Sequence, residues 1–304
     1  MNTIDIPAHV KASVLLETMP WLRMYSGQRI VIKYGGHAMT SPALQESFAE
    51  DIRFLHQWGV HPIVVHGGGP QINAMVKRLD LDAPFTQGLR VTTPEVMDVV
   101  RMVLTGSVQR ELVSLINRES IWAVGISGED GGLLQARKTM AEVDGRKVDI
   151  GQVGEISAVD PSPIEDLLAA GRIPIISTVA LNADHTGGVL NVNADTAAAA
   201  VAAAVGAKSL IVLTDVDSLY RDWPECKQPI ERIGLTDARA MLPSLDAGMR
   251  PKLGACIDAV AAGVRQATII DGRQPHSMML EIFTNKGVGT MVVTDDRAQG
   301  DSDE

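Results

Sequence analysis

Cysteine is scarce in this 304-residue chain, where Cys226 and Cys256 are the whole complement. Two thiols cannot build a disulfide framework, and no Cys/His spacing matches a zinc site. A reducing, cytoplasmic setting is the expectation. Nor is there an excess of positive charge. The formal net charge is −10, which counts against a dominant nucleic-acid or anionic-membrane partner, so any cationic cleft must be local. No apolar run is long enough to cross a bilayer, and Lys11, Glu17 and Arg23 interrupt the region where a secretion signal needs an unbroken apolar core. Walker-type and dinucleotide readings are disfavoured as well. No Gly-x-x-x-x-Gly-Lys-Ser/Thr occurs, and neither glycine cluster extends into Gly-x-Gly-x-x-Gly.

Apolar material is ample. Hydrophobic residues make up 45% of the chain, enough for a large core in one α/β domain or two lobes. Short β-forming runs recur at Ile30-Val-Ile-Lys-Tyr, Ile63-Val-Val-His, Trp122-Ala-Val-Gly-Ile, Ile173-Pro-Ile-Ile-Ser, Ser209-Leu-Ile-Val-Leu-Thr and Ala267-Thr-Ile-Ile-Asp. Helical patterns fill the gaps, as in residues 41–58, 93–116 and 195–205. Such alternation predicts a mainly parallel sheet covered by helices. Residues 140–159 read instead as hairpins turning at Asp144-Gly145. Ahead of the first strand, Val10, Val14, Leu15, Leu16, Met19 and Leu22 repeat at near-helical spacing. They predict a helical arm that Pro20 kinks or ends, and its apolar row suits its own domain or a neighbouring subunit equally. The Ala-rich run from Asp195 to Gly206 predicts a helix capped by Asp195, whose small side chains let a neighbour approach closely. The acidic tail from Asp295 to Glu304 is expected to be mobile.

Two strands end in glycine clusters, Lys33-Tyr-Gly-Gly36 and His66-Gly-Gly-Gly69. Glycine there leaves backbone N–H groups bare at a helix start, where donors and helix dipole together favour an anion. Glycine turns alone are a weak sign. Lys33 strengthens it, because an ammonium within an apolar strand needs an anionic partner. Two adjacent anion sites suit phosphoryl transfer onto an anionic acceptor. Four further clusters are polar. In Gly88-Leu-Arg-Val-Thr92, Arg90 suits a bidentate grip on a carboxylate, or a surface ion pair. In Leu190-Asn-Val-Asn-Ala-Asp195, the Asx residues serve equally well as caps and turn formers. Leu213-Thr-Asp-Val-Asp-Ser-Leu-Tyr220 is polar at a strand end, where ligands of open α/β sheets gather. Gly248-Met-Arg-Pro-Lys252 sets a second isolated lysine just before a helix expected from Leu253.

In this order, Lys-Tyr-Gly-Gly, Val-Val-His-Gly-Gly-Gly-Pro-Gln, Arg-Val-Thr, Asn-Val-Asn-Ala-Asp, Leu-Thr-Asp-Val-Asp and Gly-Met-x-Pro-Lys resemble the motifs of the amino acid kinase family, over about residues 21–293. The resemblance implies a three-layer αβα sandwich with a mainly parallel central sheet. It implies three parts: an N-terminal helical arm (1–27), an acyl-acceptor lobe (28–181) and a nucleotide-binding lobe (182–304). It further implies that ATP, carrying Mg2+ on its phosphates, phosphorylates the side-chain carboxylate of N-acetyl-L-glutamate in arginine biosynthesis. Lys33, Lys252 and Asp195 would be catalytic, with Asp195 organising the two lysines. Gly68, Gly69, Arg90 and Asn191 would bind the acceptor, and Gly35, Gly36, Thr214 and Asp215 the nucleotide. A carboxylate with a pKa near ~4.3 is already an ionised nucleophile at neutral pH, so no general base is required.

The arm, Ile270-Asp-Gly-Arg-Gln-Pro-His276 and Glu281-Ile-Phe-Thr-Asn-Lys-Gly287 resemble the arginine-inhibited members of the family. There the arm interlaces dimers into a hexamer, and His276, Glu281 and Gly287 match the L-arginine pocket. A hexamer, as a trimer of dimers, and a dimer both stay open here. Two other activities stay open too: a related kinase acting on N-acetyl-α-aminoadipate, one methylene longer, and a non-catalytic arginine-sensing oligomer. His37 follows the first glycine pair, where a small residue or Asn is expected, and is placed close to the phosphates.

Overall fold

The computed structural model describes residues 7–86, 88–143, 145–184, 188–216, 218–221, 228–284 and 286–299, so that Asp144 and Cys226 lie outside the described residues. An opening helix α1 (Ala8–Tyr25) precedes β1 (Arg29–Tyr34), α2 (Pro42–Gln57), β2 (His61–His66) and α3 (Gly69–Arg78). A small ribbon of β3 (Phe85–Thr86) and β4 (Leu89–Arg90) leads into α4 (Pro94–Arg101), a π-helical segment (Met102–Val108) and α5 (Gln109–Ile116). Next come β5 (Ala123–Ser127), the hairpin β6 (Leu134–Val143) and β7 (Arg146–Val159), α6 (Ser162–Ala169), β8 (Ile173–Ser177), β9 (Val179–Asn182) and β10 (Val189–Val192). The chain ends through α7 (Ala194–Ala204), β11 (Ser209–Thr214), β12 (Arg232–Gly234), α8 (Leu235–Met241), α9 (Arg250–Ala261), β13 (Gln266–Asp271), α10 (Ser277–Phe283), β14 (Thr290–Val293) and α11 (Asp295–Gln299).

Eight strands form one sheet in the order β12-β14-β13-β11-β1-β2-β8-β5. Every neighbouring pair is parallel except β13 with β14. The central strands read as unbroken apolar runs because both faces are covered. Val31, Val65, Leu210 and Val212 pack against the alanines of α7 and against Leu253 and Ile257 of α9. Ile30, Ile32, Val64 and Ile211, one step out of phase, pack against Phe48, Ile52 and Leu55 of α2 and Leu112 of α5. Period-two alternation between two helical layers gives the three-layer αβα sandwich that the motifs imply. Beside it, β10, β7, β6 and β9 close into a small barrel.

Local differences from the sequence reading have physical causes. Pro20 does not end α1, which runs on to Tyr25. Its missing N–H strands only the carbonyl of Leu16, a residue 71% exposed that water can reach. The hairpin is one long ribbon starting at Leu134, not several short ones. The tail is helical as far as Gln299, and the Asp295 carboxylate accepts from the Thr236 N–H at 2.9 Å and hydroxyl at 2.6 Å.

The π segment was unforeseen. Val100, Leu104, Val108, Leu112 and Ile116 are all buried at strict spacing of four. In an α-helix of about 3.6 residues per turn, each step of four overshoots by about 40°, so this row would wind off the core. Turns closed i→i+5 take up more residues and bring the row back.

Candidate active site

Strands β1, β2 and β11 end together, and crevices outside such carboxyl ends are where open α/β sheets bind ligands. Lys33, next to last in β1, stands in register between Val65 of β2 and Val212 of β11. Its side chain is 9% exposed, and its counter-charge is Asp195, with Nζ 2.9 Å from Oδ1. Oδ1 receives no aligned hydrogen bond, so the contact acts as charge on charge.

Asp195 is not the cap of α7. Asn193 takes that place, its side-chain oxygen accepting from the N–H groups of Asp195 at 2.8 Å and Thr196 at 3.2 Å. Both Asp195 oxygens are thereby left for cations, on the second residue of a helix whose positive end favours an acid. Oδ2 lies 3.7 Å from Nζ of Lys252. Lys252 falls inside the first turn of α9 and not ahead of it, since the helix starts at Arg250. A cation there opposes the helix dipole. Asp195 and the Gly248 carbonyl, which accepts from Nζ at 3.0 Å, offset that opposition. Burial pushes the Asp195 carboxyl up, but Lys33 and then Lys252 outweigh it and hold the group below its ordinary value. One carboxylate thus bridges two ammoniums and leaves the pocket wall positive.

The glycines bring backbone up to this wall. A Cβ on Gly35 would stand 2.8 Å from the Lys33 ammonium. Gly36, at φ +69, would carry its Cβ 2.5 Å from Oδ1 of Asp215. Thr214 ends β11 just before that aspartate and is buried. The Gly67 N–H donates to the Tyr34 carbonyl at 3.1 Å and ties the two glycine clusters together. Gly69 is the first residue of α3, so its N–H has no intrahelical acceptor, and space is open where a Cβ would stand.

The far end of the cleft is built on Arg90. Its guanidinium donates to Oδ1 of Asn73 on α3 and lies 4.6 Å from the ring centroid of Phe85. Next to it, Thr92 is pinned to the barrel, its N–H donating to the Ile150 carbonyl at 2.9 Å and its carbonyl accepting from the Gln152 N–H at 2.6 Å. Asn191 on β10 donates from its amide to the Thr92 hydroxyl at 3.4 Å. Lys33, Gly35, Gly36, Gly68, Gly69, Arg90, Asn191 and Asp195 all line one cleft of about 260 Å³. Lys252 joins it through Asp195, and Asp215 through its contact with Gly36. Asn73, Phe85 and Leu104 were missed in the sequence. Nothing local marks them, because their roles come from the β3–β4 ribbon folding back over α3 and from the π segment.

The remaining group divides. His276, at φ 59 ahead of α10, faces α2: its N–H donates to the Ser47 hydroxyl at 2.9 Å and its Nδ1 is 2.6 Å from Asp51 Oδ1. Burial pushes the Asp51 carboxyl up to about 6, with the His276 contacts acting against the rise. Glu281 turns elsewhere and accepts from the N–H groups of Val288 at 2.9 Å and Gly289 at 3.2 Å. Its Oε2 stands 2.5 Å from where a Gly287 Cβ would be, so Glu281 and Gly287 meet while His276 makes its contacts on α2. The side chain of His37 lies outside the described residues.

The model of the Amino acid kinase family matches residues 28–271. An acetylglutamate kinase of Bifidobacterium longum subsp. infantis is 59% identical over 292 residues, covering 96% of this chain and 96% of that protein. Another, from Arthrobacter sp., is 58% identical over 293 residues, covering 95% and 94%. Among solved structures, N-acetylglutamate synthase from Neisseria gonorrhoeae, complexed with coenzyme A and N-acetyl-glutamate, superposes with TM-score 0.81 at 24% identity. The match covers 93% of this chain and 63% of that longer one. Carbamate kinase from Giardia lamblia bound to AMP-PNP superposes with TM-score 0.65 at 18% identity, covering 90% and 100%. At these identities the structures are alike in fold.

Proposed function

The chain belongs to the amino acid kinase family, and on that premise we propose that it transfers the γ-phosphoryl group of ATP to the side-chain carboxylate of N-acetyl-L-glutamate in arginine biosynthesis. The observation that carries the reading is the Lys33–Asp195–Lys252 bridge at 2.9 and 3.7 Å, set in a glycine-rimmed cleft with Arg90 at the other end.

An acceptor carboxylate oxygen attacks the γ-phosphorus as the bond to the bridging oxygen of ADP breaks. The nucleophile is already ionised, so no proton moves to a base. The barrier is charge repulsion, and preorganised positive charge lowers it. Lys33 and Lys252 flank the transferring group, with Lys252 on the leaving side, and Asp195 holds both. Gly35, Gly36 and Gly69 offer N–H groups to phosphate oxygens. Arg90, steadied by Asn73 and Phe85, grips the α-carboxylate, while Asn191 and the Gly68-Gly69 amides hold the rest of the acceptor. Thr214 and Asp215 face the nucleotide. Residues 28–181 then serve the acceptor and 182–304 the nucleotide. Among the described residues no group of three or more His, Cys, Asp or Glu side chains could cage a metal. Mg2+ would accompany the nucleotide phosphates and supply further positive charge there.

Arginine inhibition through Glu281, Gly287 and His276 belongs to the same reading. So does assembly of dimers into a hexamer through α1, whose Val14, Leu15 and Leu16 are exposed. A cytoplasmic setting belongs to the same reading; separately, among the described residues no helix is long and apolar enough to cross a membrane.

Hydroxylamine trapping of the acyl phosphate tests the proposal, with N-acetylglutamate, glutamate and N-acetyl-α-aminoadipate as acceptors, with and without arginine. Product with N-acetylglutamate alone, suppressed by arginine, is expected. Product that arginine leaves untouched would remove the regulatory part, and no product with any acceptor would overturn the whole.

A further inference from the structure

We propose that Leu104, presented by the π segment, sets the length of acceptor that the cleft takes. The inference rests on the acceptor assignment above and adds a residue that touches the substrate chain between its two anchored ends.

Leu104 lines the cleft although it is only 1% exposed. Its Cδ2 lies 2.7 Å from where a Cβ on Gly68 would stand, so it fills the floor directly under the glycine turn. Val108, one turn along, backs it at 3.2 Å from the same point. The two ends of the cleft are referred to one helix. Arg90 is held by Asn73 of α3 and by Phe85, and Gly68 and Gly69 stand at the start of the same helix. An acceptor therefore has to span a set distance. One with an extra methylene must buckle, and a floor made by a branched, close-packed side chain leaves the buckled chain no room.

The π segment makes this floor possible. In an unbroken α-helix the row Val100, Leu104, Val108 would wind by about 40° per step, and the π turns keep Leu104 and Val108 on one line under Gly68. Apolar packing of this kind separates substrates differing by one methylene by about 10- to 200-fold. That is the difference between N-acetylglutamate and N-acetyl-α-aminoadipate.

The experiment measures kcat/KM for both acceptors, and KM for ATP, in the wild type, Leu104→Ala, Leu104→Val and Val103→Ala. Val103 is buried in the same π segment at 3% exposure but does not line the cleft, so its truncation reports packing loss alone. In Leu104→Ala the preference for N-acetylglutamate should fall by about tenfold or more, with KM for ATP unchanged. Leu104→Val should move it the same way by a smaller factor, and Val103→Ala should leave it alone. A folded Leu104→Ala that keeps its preference within about twofold overturns the proposal. An equal shift in Val103→Ala overturns it too. If Leu104→Ala fails to fold, Leu104→Val decides, with a shift under about twofold counting against. A wild type that phosphorylates neither acceptor would overturn the function itself, an outcome distinct from an active enzyme with unmoved preference.

Discussion

Replacing Asp195 by Asn keeps the shape of the side chain and removes the one negative charge between two ammoniums. The side chains of Asp195, Lys33 and Lys252 are 6%, 9% and 20% exposed. At an effective dielectric of about 20, attraction over 2.9 and 3.7 Å is roughly 6 and 4 kcal/mol before desolvation is set against it. Removing one partner of a buried pair costs about 3–5 kcal/mol, because the other charge stays buried without compensation. The variant should lose stability of that order and about 10²-fold or more in turnover, since both lysines lose their positions. MgATP, whose phosphates can occupy the same gap, should stabilise the variant more than the wild type. The sign with pH follows from a carboxyl held below its ordinary value. Its contribution is present above the unfolded value near ~4 and is lost as pH falls through the lower folded value, so the deficit should shrink only in acid. Coupled ADP release gives the turnover, and denaturant titration with and without MgATP gives the stability. A stability loss under about 1 kcal/mol, typical of an exposed pair, or turnover within a few-fold of wild type would refute the reasoning.

Arg90→Ala should mainly raise KM for the acyl acceptor, and Asn73→Ala should do the same more weakly by freeing the guanidinium; unchanged KM with lower turnover in both would contradict the anchoring role. Gly69→Ala has room for its methyl at the start of α3, so it should melt with the wild type yet lose activity as the methyl enters the cleft, and full activity would count against a substrate-binding amide there. Deleting the first 25 residues should leave a dimer with weakened arginine inhibition, and a truncated protein that light scattering finds hexameric would defeat the role of α1. Burial lowers His66 to about 4 and raises Asp51 to about 6. Between those values the native state binds fewer protons than the unfolded chain at His66 and more at Asp51, so Asp51→Asn should steepen the loss of stability from pH 6 to 4 and His66→Gln should flatten it, with equal slopes in denaturation midpoints as the refuting result.

The fold was legible where burial forces a simple pattern. A strand covered on both faces has to be apolar at every position, so β1, β2, β8, β11 and β13 stood out as runs between helical periods. Lys33 was legible for the opposite reason, as a charge where burial forbids one without a partner. The cap of α7 was misplaced, because Asn and Asp both cap helices by residue type alone; Asn193 holds that place, while Asp195, which carries the charge, pairs with Lys33 and Lys252. Arg90 was visible as a residue type, but its supports were not, since Phe85 and Asn73 meet it only once the ribbon has folded over α3. His276 and Glu281 looked like one constellation in sequence. His276 stands ahead of α10 in a left-handed conformation while Glu281 lies on the helix, and their contacts lie on different neighbours.

The Ala-rich helix α7 joins packing to chemistry. Taken alone, its small residues promise only close approach to a neighbour. Ala197, Ala198 and Ala202 are fully buried in the core that α7 shares with the sheet and with α9, to which α9 brings Ala255 and Ala259. Helices can lie this close only where both faces are small, and side chains at their N-terminal ends are then brought within ionic range. Asp195 lies in the first turn of α7 and Lys252 in the first turn of α9, and their charges stand 3.7 Å apart. Lys33 arrives from β1, on the layer that α7 covers, and completes the bridge from below. The stripe of small residues thus carries no reactive atom, yet it packs α7 into the core whose helix starts bear Asp195 and Lys252, and enlarging one of its buried alanines should strain the seat of that pair.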